Sequence, residues 1–162
     1  MTPVNPDTAR PPVPRPAKLL DPVKAPSLVR SSPHVMTFPD FAATFGGSPQ
    51  RHRLLVTVEE ELRVLRSHGI VAMCLLIGGS FVRDVPAPND LDALVVYRLE
   101  PEATSDAIGL MTQRVRDGLD LRFVPGDVGP LPLVKMACFF HTLYQSRDRG
   151  GDQASYLVTL AD

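Results

Sequence analysis

Two short, unbroken apolar runs, IVAMCLLI at 70–77 and LDALVVY at 91–97, constrain this chain more than any other feature. Runs of this length, bounded by Gly, Pro and Asn, read as strands buried on both faces. Such strands need helices packed against their sheet. The preceding segment supplies one. Ser48-Pro49 joins an N-cap residue to proline at the first helical position. Leu54, Leu55, Val58, Leu62 and Leu65 then recur at helical spacing. Glu59, Glu60, Glu61, Arg63 and Arg66 fall mostly on the other faces. Gly69 ends the pattern, after Arg66 and His68, where cations suit the helix dipole. The spacing predicts a helix over 49–68.

The rest of the domain continues the alternation. MTFPDFAATF at 36–45 is predicted as a short helical or turn segment, ended by Gly46 and Gly47. Pro101–Asp117 carries Ile108, Met111 and Val115 at helical spacing, with Gly118 as its stop. LDLRFV at 119–124 alternates like a strand, and PGDVGP is a turn. Pro132 opens a helix whose apolar face is Leu133, Met136, Phe140 and Leu143. SYLVTL at 155–160 is the last predicted strand. The expected fold is α/β (α+β): a small mixed sheet with helices packed on it.

Nine of the 17 prolines lie within residues 1–33. That stretch has no helical or alternating period and cannot offset the entropy of ordering it. A disordered Pro-rich arm over 1–35 and a single domain over 36–162 are expected. Arg10, Arg15, Lys18, Lys24 and Arg30 against Asp7 and Asp21 give the arm +3, which leaves −4 on the rest. An acidic domain is not the footprint of a duplex DNA binder. No apolar run approaches the 18 residues of a membrane span, and no signal-type apolar segment opens the chain. Cys74 and Cys138 each sit in an apolar run, which reads as two buried free thiols in a reducing, cytoplasmic compartment.

Chemistry concentrates in LLIGGSFVRDVPAPNDLDALVVY. A buried strand ends in Gly78-Gly79-Ser80, where bare backbone amides and a hydroxyl can approach a phosphate closely. Asp90-Leu91-Asp92 opens the next buried strand. Residues two apart share a strand face, so both carboxylates aim the same way with Leu91 in the core. Carboxylates held that close repel unless a cation lies between them, and hard oxygen ligands suit Mg²⁺ or Mn²⁺. Asp120, between Leu119 and Leu121 at the start of a later strand, is a third acid. If its strand neighbours that of Asp92, three acids converge. Each part alone is an ordinary turn or strand-edge feature; their order along the chain is what points to a phosphate cradle with a divalent cation. A haloacid-dehalogenase-type phosphatase is disfavoured, because here the apolar strand follows the Asp-x-Asp instead of preceding it. His141, among apolar neighbours in FFHTLY, reads as a packed, hydrogen-bonded histidine.

FPDFAATFGGSPQRHRLL, GGSFVRDVPAPNDLD and LDLRFV together resemble the DNA polymerase β-type nucleotidyltransferase superfamily. More narrowly, they are similar to an uncharacterised bacterial group of small nucleotidyltransferase-like proteins. The resemblance covers residues 36–125 well and the C-terminal part loosely. It implies that Asp90, Asp92 and Asp120 are the catalytic and metal-binding acids. Gly79 and Ser80 would hold the β- and γ-phosphates of a nucleoside triphosphate such as ATP. Arg83 and Lys135 are further triphosphate candidates. Arg122, on the strand face of Asp120, would either bind a phosphate or neutralise that acid. The implied activity moves a nucleotide to a hydroxyl of a protein, an RNA end or a small molecule, in a toxin–antitoxin or antiphage setting. The alternative is a degenerate nucleotidyltransferase fold serving as an interaction subunit, with the Pro-rich arm contacting a protein partner.

Overall fold

The computed structural model describes residues 33–113, 116–146 and 154–160. The expected disordered arm lies outside the described residues up to Ser32. The chain enters as strand β1, His34–Thr37, and turns at once into helix α1, Phe38–Phe45. Thr37 makes that turn: its hydroxyl caps the helix by accepting from the Asp40 backbone N–H at 3.3 Å. A helical or turn segment over 36–45 was expected, and the short edge strand before it was not. The reason is that β1 has only four residues, two half-buried and two exposed, too few to show a period.

Helix α2 spans Pro49–Ser67, capped by Ser48 accepting from Arg51 N–H. Strand β2, Ile70–Gly78, runs into a single 3-10 turn, Gly79–Val82. Strand β3 is Leu91–Leu99, helix α3 Ala107–Gln113, strand β4 Leu119–Pro125, helix α4 Pro130–Ser146 and strand β5 Tyr156–Thr159. The five strands form one mixed sheet in the order β1-β5-β2-β3-β4. β2 is antiparallel to both β3 and β5, whereas β1 runs parallel to β5 and β3 parallel to β4.

Helix α3 begins at Ala107, later than the predicted 101, and Val115 lies outside the described residues. The preceding residues fold back onto the end of α2 instead: Glu100 N–H donates to Gly69 O at 2.8 Å and Thr104 N–H to His68 O at 3.4 Å. Gly69 permits this approach, since a Cβ there would lie 2.6 Å from Ala103 Cα. Helix α4 begins at Pro130, one proline earlier than expected, because a proline at the first turn forfeits no helical hydrogen bond.

Both faces of the sheet are covered. Phe41 of α1 and Leu54 and Val58 of α2 pack on Leu75, Ile77, Leu91, Ala93 and Val95, all essentially inaccessible. On the opposite face, Phe140 and Tyr144 of α4 cover Leu76, Leu94 and Val124. The expected face of α4 therefore packs inward, with Leu133, Met136 and Leu143 at its margins. Two expectations need correction. Cys138 is exposed, because it lies on the far side of α4, and Cys74 is half-buried. Glu61 is not on a solvent face of α2 but buried, ion-paired at 2.6 Å with Arg116 Nε. Arg116 also donates to the carbonyls of Leu110 (2.8 Å) and Met111 (3.3 Å), and it lies over the Phe123 ring. This buried pair ties α2, α3 and β4 together.

Candidate functional site

Gly78, Asp92 and Asp120 form a row across three adjacent strands. Gly78 is the register partner of Asp92, and Asp92 of Asp120. Register partners share a face, here the one covered by α4, and the backbones of neighbouring strands lie about 4.8 Å apart. Asp92 therefore occupies the middle of the sheet end. It is 7% exposed.

The turn after β2 is shaped around this acid. Gly79 adopts φ +72°, in the left-handed region. A Cβ on Gly79 would lie 2.0 Å from Asp92 Oδ2 and 2.9 Å from its Cγ. Gly78 is equally constrained from the other side: a Cβ there would meet the Tyr144 ring at 2.3 Å. The Gly-Gly pair is required by an acid on one side and an aromatic ring on the other. Ser80 follows, its hydroxyl 3.4 Å from Asp90 Oδ1. Asp90 is half-buried just before β3. Thus Gly79 meets Asp92 and Ser80 meets Asp90, pairing the two motifs across the turn.

The loop between them is held by residues whose roles the sequence did not disclose. Arg51, in the first turn of α2, donates to the carbonyls of Phe81, Arg83 and Val85. Its guanidinium also stacks over the Phe81 ring at 5.3 Å. Gln50 donates to Pro88 O at 3.2 Å. One helix N-terminus thereby fixes the path from Gly79 to Asp90. The only sequence signal was an arginine three residues after the N-cap Ser48, which by itself reads as a solvated charge. Arg83 is turned inward, its Nε donating to Gly79 O at 2.9 Å. It braces the glycine turn. Lys135 is exposed on α4.

Asp120 is engaged differently. Arg122, two residues on and on the same face, reaches back to it: Nε lies 3.0 Å from Oδ1 and a terminal nitrogen 3.4 Å from Oδ2. The pair is largely exposed, at 61% for Arg122 and 45% for Asp120. Asp120 thus joins the row by register while its carboxylate faces a guanidinium. Among the described residues, no three His, Cys, Asp or Glu side chains close into one metal-holding group. As a donor set, Asp90, Asp92 and the Ser80 hydroxyl are hard oxygens on one turn and one strand entrance, which fits Mg²⁺ or Mn²⁺. Asp120 joins such a set only by exchanging Arg122.

His141 lies outside this site. Its Nδ1 is 2.7 Å from the buried Ser155 hydroxyl and its Nε2 is 2.9 Å from Gln145 Nε2. Gln145 donates to Nε2, so Nδ1 carries the proton and donates to Ser155. Both ring nitrogens are occupied, as a packed histidine requires.

Two cavities bear on the site's surroundings. One of about 640 Å³ runs along β4, between that strand and α3, and reaches Asp120 and Arg122. Another of about 420 Å³ lies at the opposite end of β2, between α1 and α2, away from the row of acids. No helix is long and apolar enough to cross a membrane among the described residues. No curated protein and no solved structure matches the chain. A family profile does match, over residues 14–154 and hence most of the sequence, so the protein belongs to the family of unknown function DUF6932.

Proposed function

We propose that the site transfers a nucleotide from a nucleoside triphosphate to an acceptor hydroxyl in a metal-dependent reaction, on a nucleotidyltransferase-like fold. The observation carrying this reading is the contact between Gly79 and Asp92. It sets a bare backbone turn, able to receive phosphate oxygens, directly against a buried carboxylate. The neighbouring Ser80–Asp90 contact repeats the arrangement. Mg²⁺ or Mn²⁺ held by Asp90 and Asp92 would offset the charge of the triphosphate and polarise its α-phosphorus. Gly79 and Ser80 orient the β- and γ-phosphates. The buried position of Asp92 limits competing water. Tyr144, packed over Gly78, keeps the turn from shifting. The acceptor hydroxyl oxygen attacks the α-phosphorus and releases its proton to solvent, the bond to the β-phosphate bridging oxygen breaks, and pyrophosphate leaves.

The test is calorimetric titration of each of the four nucleoside triphosphates, with Mg²⁺ or Mn²⁺, into wild type and into Asp90→Asn/Asp92→Asn. Metal-dependent binding of at least one triphosphate, weakened a hundredfold or more in the variant, is expected. No binding to well-folded wild type overturns the proposal. A second reading is favoured by the Arg122–Asp120 pair, which satisfies the third acid internally: a degenerate fold acting as an interaction subunit. It predicts that the biological activity of the protein survives in Asp90→Asn/Asp92→Asn.

A further inference from the structure

We infer that the acceptor is a polypeptide, presented as an extended segment that adds to the outer edge of β4. This inference rests on the nucleotidyl-transfer reading and specifies its acceptor. Strand β4 is an edge of the sheet. The hydrogen bonds to β3 fix which way its backbone points. Leu91 N–H donates to Gly118 O, and Gly126 N–H donates to Tyr97 O. In a parallel ladder alternate residues face the same neighbour. The even-numbered residues of β4 therefore face β3, and Leu121 and Phe123 turn their N–H and C=O groups outward. The Leu119 N–H is already spent on Arg116 O at 3.2 Å. What remains, among the described residues, is an unpaired donor–acceptor ladder at the strand repeat, which another extended backbone complements.

The side chains along that edge match the same ligand. An added strand lies about 4.8 Å outside β4, and its residues alternate between the two faces. On one face they fall beside Asp120 and Arg122, in line with Asp92. On the other they enter the 640 Å³ cavity against Ile108, Met111 and Phe123. One pleat thus brings a hydroxyl to the row of acids while its neighbours fill an apolar trough. Ile108 stands at the lip, 63% exposed. RNA fits this edge poorly: the domain is acidic, and a phosphate backbone needs clustered cations. Occupation of this edge by the chain's own first 32 residues would show as slow exchange at Leu121 and Phe123 before any peptide is added, and would overturn the inference. In the reaction the peptide hydroxyl oxygen bonds to the α-phosphorus, its proton passes to the Asp120 carboxylate and on to solvent, and pyrophosphate departs.

The probes are acetylated, amidated peptides Lys-Val-Thr-Val-X-Val-Thr-Val-Lys, with X as Ser, Thr or Tyr, and a 20-nucleotide RNA in parallel. Amide exchange of Leu121 and Phe123 is followed by NMR with and without peptide, and products are read by mass spectrometry with each triphosphate and Mn²⁺. At least tenfold slower exchange at those two amides is expected, together with a nucleotide adduct on the peptide. Ile108→Arg should cut both effects at least tenfold while triphosphate binding persists. Three further results overturn the inference: modification of the RNA and not the peptides, labelling indifferent to Ile108→Arg, or exchange at Leu121 and Phe123 that slows with protein concentration alone, which would assign the edge to a second copy. If wild type binds no triphosphate, the transfer reading falls, and the exchange data alone decide whether β4 takes a peptide. If triphosphate binds but the peptides neither slow exchange nor react, the acceptor inference falls alone.

Discussion

Substituting Gly79 by alanine should cost far more than the same change at Gly129, and the difference reports the contact on which the site depends. Both glycines have positive φ, +72° and +94°. Both substitutions therefore carry the left-handed backbone penalty of an L residue, about 1–2 kcal/mol. At Gly129 the added Cβ meets nothing within 4 Å, so that penalty is the whole effect. At Gly79 it would stand 2.0 Å from Asp92 Oδ2. The carboxylate must leave its place, and it is buried. Displacing a buried polar group from its partners costs about 1–3 kcal/mol. Gly79→Ala should thus lose roughly 2–5 kcal/mol against about 1–2 kcal/mol for Gly129→Ala. A domain of this size has only about 5–15 kcal/mol in total. The assay is urea unfolding, comparing midpoints at constant slope. A double-mutant cycle isolates the contact: in an Asp92→Ala background, Gly79→Ala should fall back to the Gly129→Ala value. Equal losses for the two glycines, or an unchanged Gly79→Ala loss without Asp92, would refute the reasoning.

The other expectations follow from the elements that brace the site. Arg51→Ala leaves the carbonyls of Phe81, Arg83 and Val85 without their donor and should destabilise by about 2–4 kcal/mol. Amide exchange over 82–88 should accelerate, and Arg51→Lys should restore only part of the loss, because an ammonium lacks the fork that serves three acceptors. Glu61→Ala should cost about 3–5 kcal/mol in urea unfolding by stranding the buried Arg116, whereas the double change Glu61→Met/Arg116→Met should cost much less. Burial raises the pKa values of Cys74 and Tyr156, and burial together with the charge of Asp127 raises that of Tyr97. These groups hold their protons more tightly when folded. Their stabilising contribution is complete at neutral pH and is lost as pH rises from about 9 through the raised values, so urea midpoints should fall at alkaline pH together with the appearance of tyrosinate absorbance.

The elements legible in the sequence were those with a long or strongly punctuated signal. Helix α2 was fixed by Ser48-Pro49, its leucine spacing and Gly69, and it ends within a residue of its predicted stop. β2 and β3 were legible because both faces of each are covered, which leaves an unbroken apolar run. What failed was what depends on tertiary contact. Strand β1 exists only because β5 pairs with it. Helix α3 lost its first turn to the carbonyls at the end of α2. Glu61 looked like one of three surface glutamates, and its ion pair with Arg116 from across the fold helps offset its burial.

The same distinction governs the site. Local spacing placed Asp90 and Asp92 at one strand entrance and Gly79-Ser80 on one turn; the convergence of Asp120 with Asp92 stayed conditional on their strands pairing, which the sheet order supplies. Spacing alone left two roles open for Arg122, and the coordinates show it reaching Asp120. That pair is more than half exposed on the arginine side, and exposed ion pairs contribute only about 0–1 kcal/mol. It is therefore a weak latch. An incoming dication or phosphate can displace Arg122 at small cost, so the pairing does not by itself mark a dead site. Arg122→Ala separates the cases. If the pair is a latch over an active site, freeing Asp120 should leave triphosphate binding intact or tighten it modestly in the presence of Mg²⁺. If Arg122 holds a phosphate, binding should weaken about tenfold, the loss of one charge-assisted hydrogen bond of roughly 1.4 kcal/mol. Isothermal titration of that single variant decides between the two roles.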